Sequence, residues 1–300
     1  MTVGAHSSIG ALAPCIAVPL CLALVLLSDG CIPSRIEVGT SPRTEAPRAT
    51  IQTLNVIGRS TEGRPIEMYC FGRPGPVTMI IAGIHGNEPT GTYVAEHLVK
   101  FLTDSGSEAD AGSVVVVPRA NPDGLAAAHR TNAQGVDLNR NFPARNWAGT
   151  HPGLTFGGPA PASEPETTAL IDVISTLKPR LIISIHSITG GMECNNYDGP
   201  ARVEAEEMSR CNRYPVKPTI GYPTPGSLGS WAGIDNNMRV LTLELPRDLP
   251  AESAWADNRQ ALLSVLPLKP LTHCPTSQRS PAPGTTTSRA AADGVRGDNR

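Results

Sequence analysis

Four residues in this chain are of the types that hold a divalent ion and work beside it. They are His85 and Glu88 in the tetrapeptide HGNE, His186 in LIISIHS, and Glu244 in VLTLELP. Two histidines and one carboxylate form the three-ligand set that hydrolytic zinc commonly takes, with a fourth position left for water. Such a water ionises at a pKa of about 7, so hydroxide is available at neutral pH. Glu244 would be a separate carboxylate able to carry a proton. The pattern implies a metal-dependent hydrolase with one zinc ion per chain.

The elements that would carry these residues are legible. Val77 to Ala82 is an apolar run broken by Gly83, and Pro89 followed by AEHLVKFL predicts a helix over about 90–103. His85 and Glu88 then fall in the turn between a buried strand and a helix. His186 ends a second apolar run, Leu181 to Ile185, and Glu244 ends a third, in which Val240, Thr242 and Glu244 share a strand face. An ionised carboxylate there is costly unless it is paired or bound to a metal. Ligand sites in open α/β sheets gather at the carboxyl ends of strands. A lone H-x-x-E, a histidine at a strand end, or a glutamate paired with a core arginine would each be ordinary; together they are not. His6, His97, His129, His151 and His273 lie outside such contexts.

A second constellation is NPDGLAAAHRTNAQGVDLNRNFP, residues 121–143, after the short strand candidate Val114 to Val117. Asn121-Pro122-Asp123-Gly124 is turn chemistry. Beyond it lie Arg130 and Arg140, the latter between Asn139 and Asn141. Arginine stays charged and presents a planar fork suited to carboxylates and oxyanions. Two of them beside a zinc site would serve a developing oxyanion and a substrate carboxylate; the plainer reading makes both surface residues of a loop.

HGNE, NPDG, the stretch from Arg130 to Pro143, SEPET (163–167), SIHS, YPTPGSLGSW (222–231) and LTLELP follow one another in order over about residues 54–266. As a set they resemble the zinc carboxypeptidase family, and among its bacterial members the murein peptide amidases, which cut between γ-D-glutamate and diaminopimelate. The resemblance implies His85, Glu88 and His186 as zinc ligands and Glu244 as general base and acid. It implies Arg130 at the scissile carbonyl, Asn139 and Arg140 at a substrate carboxylate, and Tyr222 as a mobile active-site tyrosine. Gly229 falls where the family places a specificity residue, and with no charge there a strict preference for basic or acidic end residues is not expected. The run Gly190 to Glu193 departs from the amidase pattern at the cleft border, which bears on the substrate more than on the chemistry. The implied partner is a peptide or muropeptide. The alternatives are a zinc deacylase of N-acyl amino acids and a non-catalytic wall-binding protein of the same fold.

Alternating signals predict strands near 77–82, 114–118, 181–186 and 240–245 and helices near 90–103, 164–177 and 200–212, with a last helix over Trp255 to Leu266. Two further strands precede them in TLNVIGRSTEGRPIEMYCFG. The expected architecture is a three-layer α/β/α domain over 51–270 with a mixed, mostly parallel sheet, of eight strands by resemblance. Ser163 with Glu166 is read as a helix capping box. Cys194 with Cys211 is a disulfide candidate.

Residues 1–31 are read as a secretory leader or membrane anchor, with Cys31 a lipid-attachment candidate. Residues 32–50 are read as a linker and 271–300 as a disordered tail. Export to the periplasm or cell envelope and a monomeric state are expected. A formal net charge of −2 and a pI near 6.4 offer no electrostatic case for nucleic acid.

Overall fold

A run of parallel strands buried on both faces forms the centre of the chain, and it arises from near-continuous Val, Ile and Leu rather than from alternation. The computed structural model describes residues 52–105, 112–149, 153 and 155–268. The leader, the linker and the tail expected from the sequence lie outside these residues. Among the described residues no helix is long and apolar enough to cross a membrane.

The strands are β1 (Gln52–Arg59), β2 (Pro65–Gly72), β3 (Val77–Ala82), β4 (Ser113–Val117), β5 (Leu181–Ile188), β6 (Cys194–Asp198), β7 (Val216–Lys217) and β8 (Val240–Pro246). They form one sheet in the order β1-β2-β4-β3-β5-β8-β6-β7. β4, β3, β5 and β8 run parallel, whereas β1, β2 and β6 join antiparallel. Every residue of β5 is buried. The helices are α1 (Pro89–Asp104), α2 (Pro122–Ala127), α3 (Pro165–Leu177), α4 (Arg202–Asn212) and α5 (Ala251–Val265). Leu98, Met208 and Leu262 of α1, α4 and α5 pack on one face with Ile80, Ile183 and Leu243. Leu170 and Ile174 of α3, with Phe142 and Leu228 from loops, cover the other face with Met79, Ile81, Ile182 and Val240. This is the expected three-layer α/β/α architecture with eight strands.

β6 and β7 carry no apolar run, so periodicity did not reveal them. β6 reads CNNYD, and its polar residues are held from the side: Asn195 Nδ2 donates to Asn212 Oδ1 at 3.0 Å and Asn196 Nδ2 to the Lys217 carbonyl at 2.9 Å.

Two local expectations are corrected. Helix α3 is capped by Glu164 in extended backbone with no side-chain cap bond, because Pro165 takes its first position and shifts the start by one residue. Glu166 instead accepts from the Thr61 backbone at 3.0 Å and, with Glu164, from Asn132 Nδ2 at 3.2 and 2.7 Å. The SEPET segment thereby holds the loop that carries Arg130. Cys194 is a free, buried thiol, so the expected pair with Cys211, which is disulfide-bonded elsewhere, is not formed.

Candidate active site

The neighbours of β3 lie on opposite sides: the chain passes through α1 to β4, while β5 flanks the other edge. A crevice opens at such a point, at the carboxyl ends of the strands. His85 and Glu88 occupy the β3–α1 turn. The turn lies so close to the NPDG segment that a Cβ on Gly86 would stand 1.9 Å from the Gly124 carbonyl carbon, so only glycine fits there. Parallel register places His186 of β5 directly opposite Glu244 of β8.

The structure brings His85, Glu88 and His186 into one buried cluster whose ligand atoms lie within 4.8 Å of one another. His85 Nδ1 is 3.0 Å from Glu88 Oε1 and 3.1 Å from His186 Nδ1, and His186 Nδ1 is 3.1 Å from Glu88 Oε2. The Ser187 backbone N–H donates to Glu88 Oε2 at 3.0 Å. Burial would raise the Glu88 pKa, but the charge of His85 and the bonds from both imidazoles prevail and hold it well below the usual carboxylate range.

Asp137, which sequence reasoning left without a role, ties the site together. It is fully buried, and its Oδ1 meets His85 Nε2 at 3.0 Å and the Asn139 backbone N–H at 2.9 Å. Arg130 Nε and Nη2 each stand 3.0 Å from its Oδ2. Burial opposes ionisation, yet the bond and charge of His85, then Arg130 and Arg140, bring its pKa down to about 2. Asp137 fixes the His85 ring with Nδ1 towards the cluster, and with a metal bound there Nδ1 would present its lone pair to it. The signal available in the sequence was a carboxylate within the GVDLNRN stretch, since histidine ligands usually have such a partner.

Glu244 stands beside the cluster, 6% exposed, with its pKa raised by burial and then by Glu88 against the opposing pull of the histidines. Arg130 Nη1 reaches to 3.5 Å from Glu88 Oε1. Arg140 is buried, which lowers its pKa, and its Nη1 donates to the Asn139 carbonyl at 2.7 Å. Asn139 Oδ1 accepts from the Leu228 backbone at 2.9 Å, which leaves its amide N–H groups towards the pocket. That pocket is lined by Asn139, His186, Tyr222 and Glu244 and extends to Asp198, Gly229 and Thr242. Tyr222 is half exposed at its mouth.

Gly229 brings no charge, but a carboxylate from β6 stands beside it. Gly229, in the π-helical turn Gly229–Asp235, contributes no side chain, but Asp198 of β6 fills the space: a Cβ on Gly229 would stand 2.3 Å from Asp198 Oδ2. Burial raises the Asp198 pKa to about 6. Among the described residues no hydrogen bond or ion pair reaches its carboxylate, so the pocket has a negative charge to offer.

The zinc carboxypeptidase family profile, peptidase M14, matches residues 43–198. This chain belongs to that family. It is 34% identical to murein peptide amidase A of Escherichia coli strain K12 over 207 residues, which cover 63% of this chain and 79% of the relative. Among solved structures it is similar to murein-tripeptide amidase MpaA from Escherichia coli O157, with a TM-score of 0.61, 30% identity, and coverage of 77% of this chain and 98% of the other. Carboxypeptidase A from Helicoverpa armigera, 21% identical over 73% of this chain and 68% of its own, shares the fold with a TM-score of 0.63.

The protein is therefore a hydrolase of the peptidase and amidase type, and its family implies zinc. The residues present fit that ion. Zinc–ligand distances of about 2.0–2.2 Å in a tetrahedron separate neighbouring ligand atoms by about 3.3–3.6 Å. The 3.0–3.1 Å separations of the His85, Glu88 and His186 atoms are a few tenths of an ångström shorter, so a small outward shift would seat the ion. His85 Nδ1 and His186 Nδ1 face each other at 3.1 Å and both turn to Glu88, so a single ion could be met by all three side chains.

Proposed function

We propose that this family member hydrolyses the amide bond between γ-D-glutamate and diaminopimelate in peptidoglycan stem peptides, with His85, Glu88 and His186 as ligands of a single zinc ion. When bound, zinc supplies a water of lowered pKa and a Lewis acid for the scissile carbonyl. Glu244 takes a proton from the attacking water and returns it to the leaving amine. Arg130, anchored through Nε and Nη2 on Asp137, turns Nη1 to the charge growing on the carbonyl oxygen. Asn139 and Arg140 hold the carboxylate of the residue after the bond, and Tyr222 closes over it.

The observation that carries the substrate reading is the Asp198 carboxylate in the pocket that Asn139, Tyr222 and Glu244 also line. Asn139 in that pocket, with Arg140 bonded to its carbonyl, suits the carboxylate of the residue released, and Asp198 suits an ammonium further along its side chain. Diaminopimelate has both groups. A C-terminal lysine has them too, so the same observation favours a second reading as a carboxypeptidase for basic ends. Digestion of the tripeptide L-Ala-γ-D-Glu-diaminopimelate and of a peptide ending in lysine, followed by mass spectrometry, separates the two. Diaminopimelate release that stops with a chelator and returns with zinc is expected. Release of lysine alone would replace the amidase reading. Export rests on the apolar run at residues 9–28, with Cys31 as the lipid-attachment candidate, and is part of the same proposal.

A further inference from the structure

Arg247 follows β8 directly and has no place in the chemistry above. Its backbone N–H donates to the Ile188 carbonyl at 2.8 Å, and its Nη2 donates to the Ser187 carbonyl at 3.2 Å. These bonds hold the side chain at the end of β5, beside the proposed metal ligands. Nη2 is 3.8 Å from Glu88 Oε1, beyond hydrogen-bonding distance. Glu88 is already satisfied by His85, His186 and the Ser187 N–H, so Arg247 is not needed to complete its bonding. The guanidinium side chain is 49% exposed, and its Nε and Nη1 have no hydrogen bond among the described residues.

The other two arginines of the site are committed. Arg130 is held on Asp137, and Arg140 is buried beside Asn139. Neither Arg247 nor Ser187 lines the pocket that contains Asp198. Arg247 thus stands at Ser187 and Glu88 but outside that pocket, and a substrate that puts its released residue into the pocket must carry its acyl portion outside it. A γ-linked glutamyl residue differs from an ordinary peptide residue at this point. Its free α-carboxylate lies four bonds beyond the reacting carbonyl carbon, about 5 Å away when extended, from carbon–carbon bonds of about 1.52 Å. An α-linked residue with an apolar side chain has no anion there.

We propose that Arg247 is a specificity residue that receives the free α-carboxylate of a γ-linked glutamyl residue on the acyl side of the scissile bond. The inference rests on the amidase reading, and its test separates the two. Wild-type, R247A and R247K enzymes are assayed on L-Ala-γ-D-Glu-diaminopimelate and on the same peptide with the glutamyl α-carboxylate converted to the carboxamide. Loss of a charge-assisted bond predicts that R247A lowers kcat/KM for the free acid by about 10- to 100-fold, with the amidated peptide losing no more than about threefold. R247K should recover part of the difference. Calorimetric binding of both peptides to E244Q and to E244Q/R247A should show the same selective loss, and zinc content and Tm of R247A should match wild type. Equal losses on the two peptides, or none on either, overturn the assignment and leave the amidase reading standing. A wild-type enzyme that cleaves neither peptide removes both.

Discussion

Asp198→Asn exchanges a half-buried carboxylate without a hydrogen bond for a neutral group of nearly the same shape. Burial lifts the folded pKa of Asp198 from 3.8 to about 6. Below about pH 3.8 the carboxyl is neutral in folded and unfolded chains alike, and its burial carries no ionisation cost. As pH rises from there to about 6, the unfolded chain loses the proton while the folded chain keeps it, so stability falls. Above pH 6 the deficit is complete, and a gap of that size corresponds to an upper bound of about 3 kcal/mol. The asparagine variant should therefore be more stable at pH 7.5 by about 1–3 kcal/mol. For a domain of this size that raises Tm by about 3–10 °C. The gain should vanish near pH 4. Function moves the other way. The variant should raise KM at least tenfold for substrates with an ammonium on the released residue, and wild-type KM for them should climb as pH falls below 6. Thermal scans of both proteins across pH 4–8, paired with KM profiles, provide the assay. A variant that is less stable at pH 7.5, or one with the same difference at pH 4 and 7.5, would show that the carboxylate has a structural partner and is not held there at a cost.

The remaining predictions concern the metal and the arginines. Glu244→Gln should retain one zinc per chain by atomic absorption and lose turnover, whereas His186→Ala should lose both; near-normal activity of the glutamine variant would remove the proton-transfer role. Asp137→Asn should weaken zinc affinity by about 10- to 100-fold in competition with a chelator, because the His85 orientation loses its anchor; unchanged affinity would count against that hub. Arg130→Ala should cost on the order of 3 kcal/mol in the barrier, seen as a fall in kcat with zinc retained. Arg140→Ala should raise KM far more for substrates with a free terminal carboxylate than for amidated ones, and equal effects would break that assignment.

Much of the site was legible because its residues end long apolar runs. A parallel strand buried on both faces must be continuously hydrophobic, so His186 and Glu244 stood out as polar residues at strand ends, and Gly83 and Pro89 framed His85 and Glu88. The same logic placed β3, β4, β5 and β8, and α1, α3 and α4, within a few residues. It failed for β6 and β7, where Asn195 and Asn196 of β6 are satisfied by the Asn212 side chain of α4 and the Lys217 carbonyl of β7. It also failed at Ser163, where Pro165 moved the helix start and turned two glutamates to bracing Asn132.

What the linear chain settled alone was chemistry: which side chains could bind an ion, move a proton or meet a carboxylate, since those capacities belong to residue type and to the strand ends that carry them. Which charges meet was decided in three dimensions. Asp137 reaches His85 across 52 positions, Asp198 fills the space left by Gly229, and Arg247 approaches Glu88, because neighbouring strands and their loops converge on one edge of the sheet. Coulomb energy depends on distance and burial, and neither is a property of sequence order.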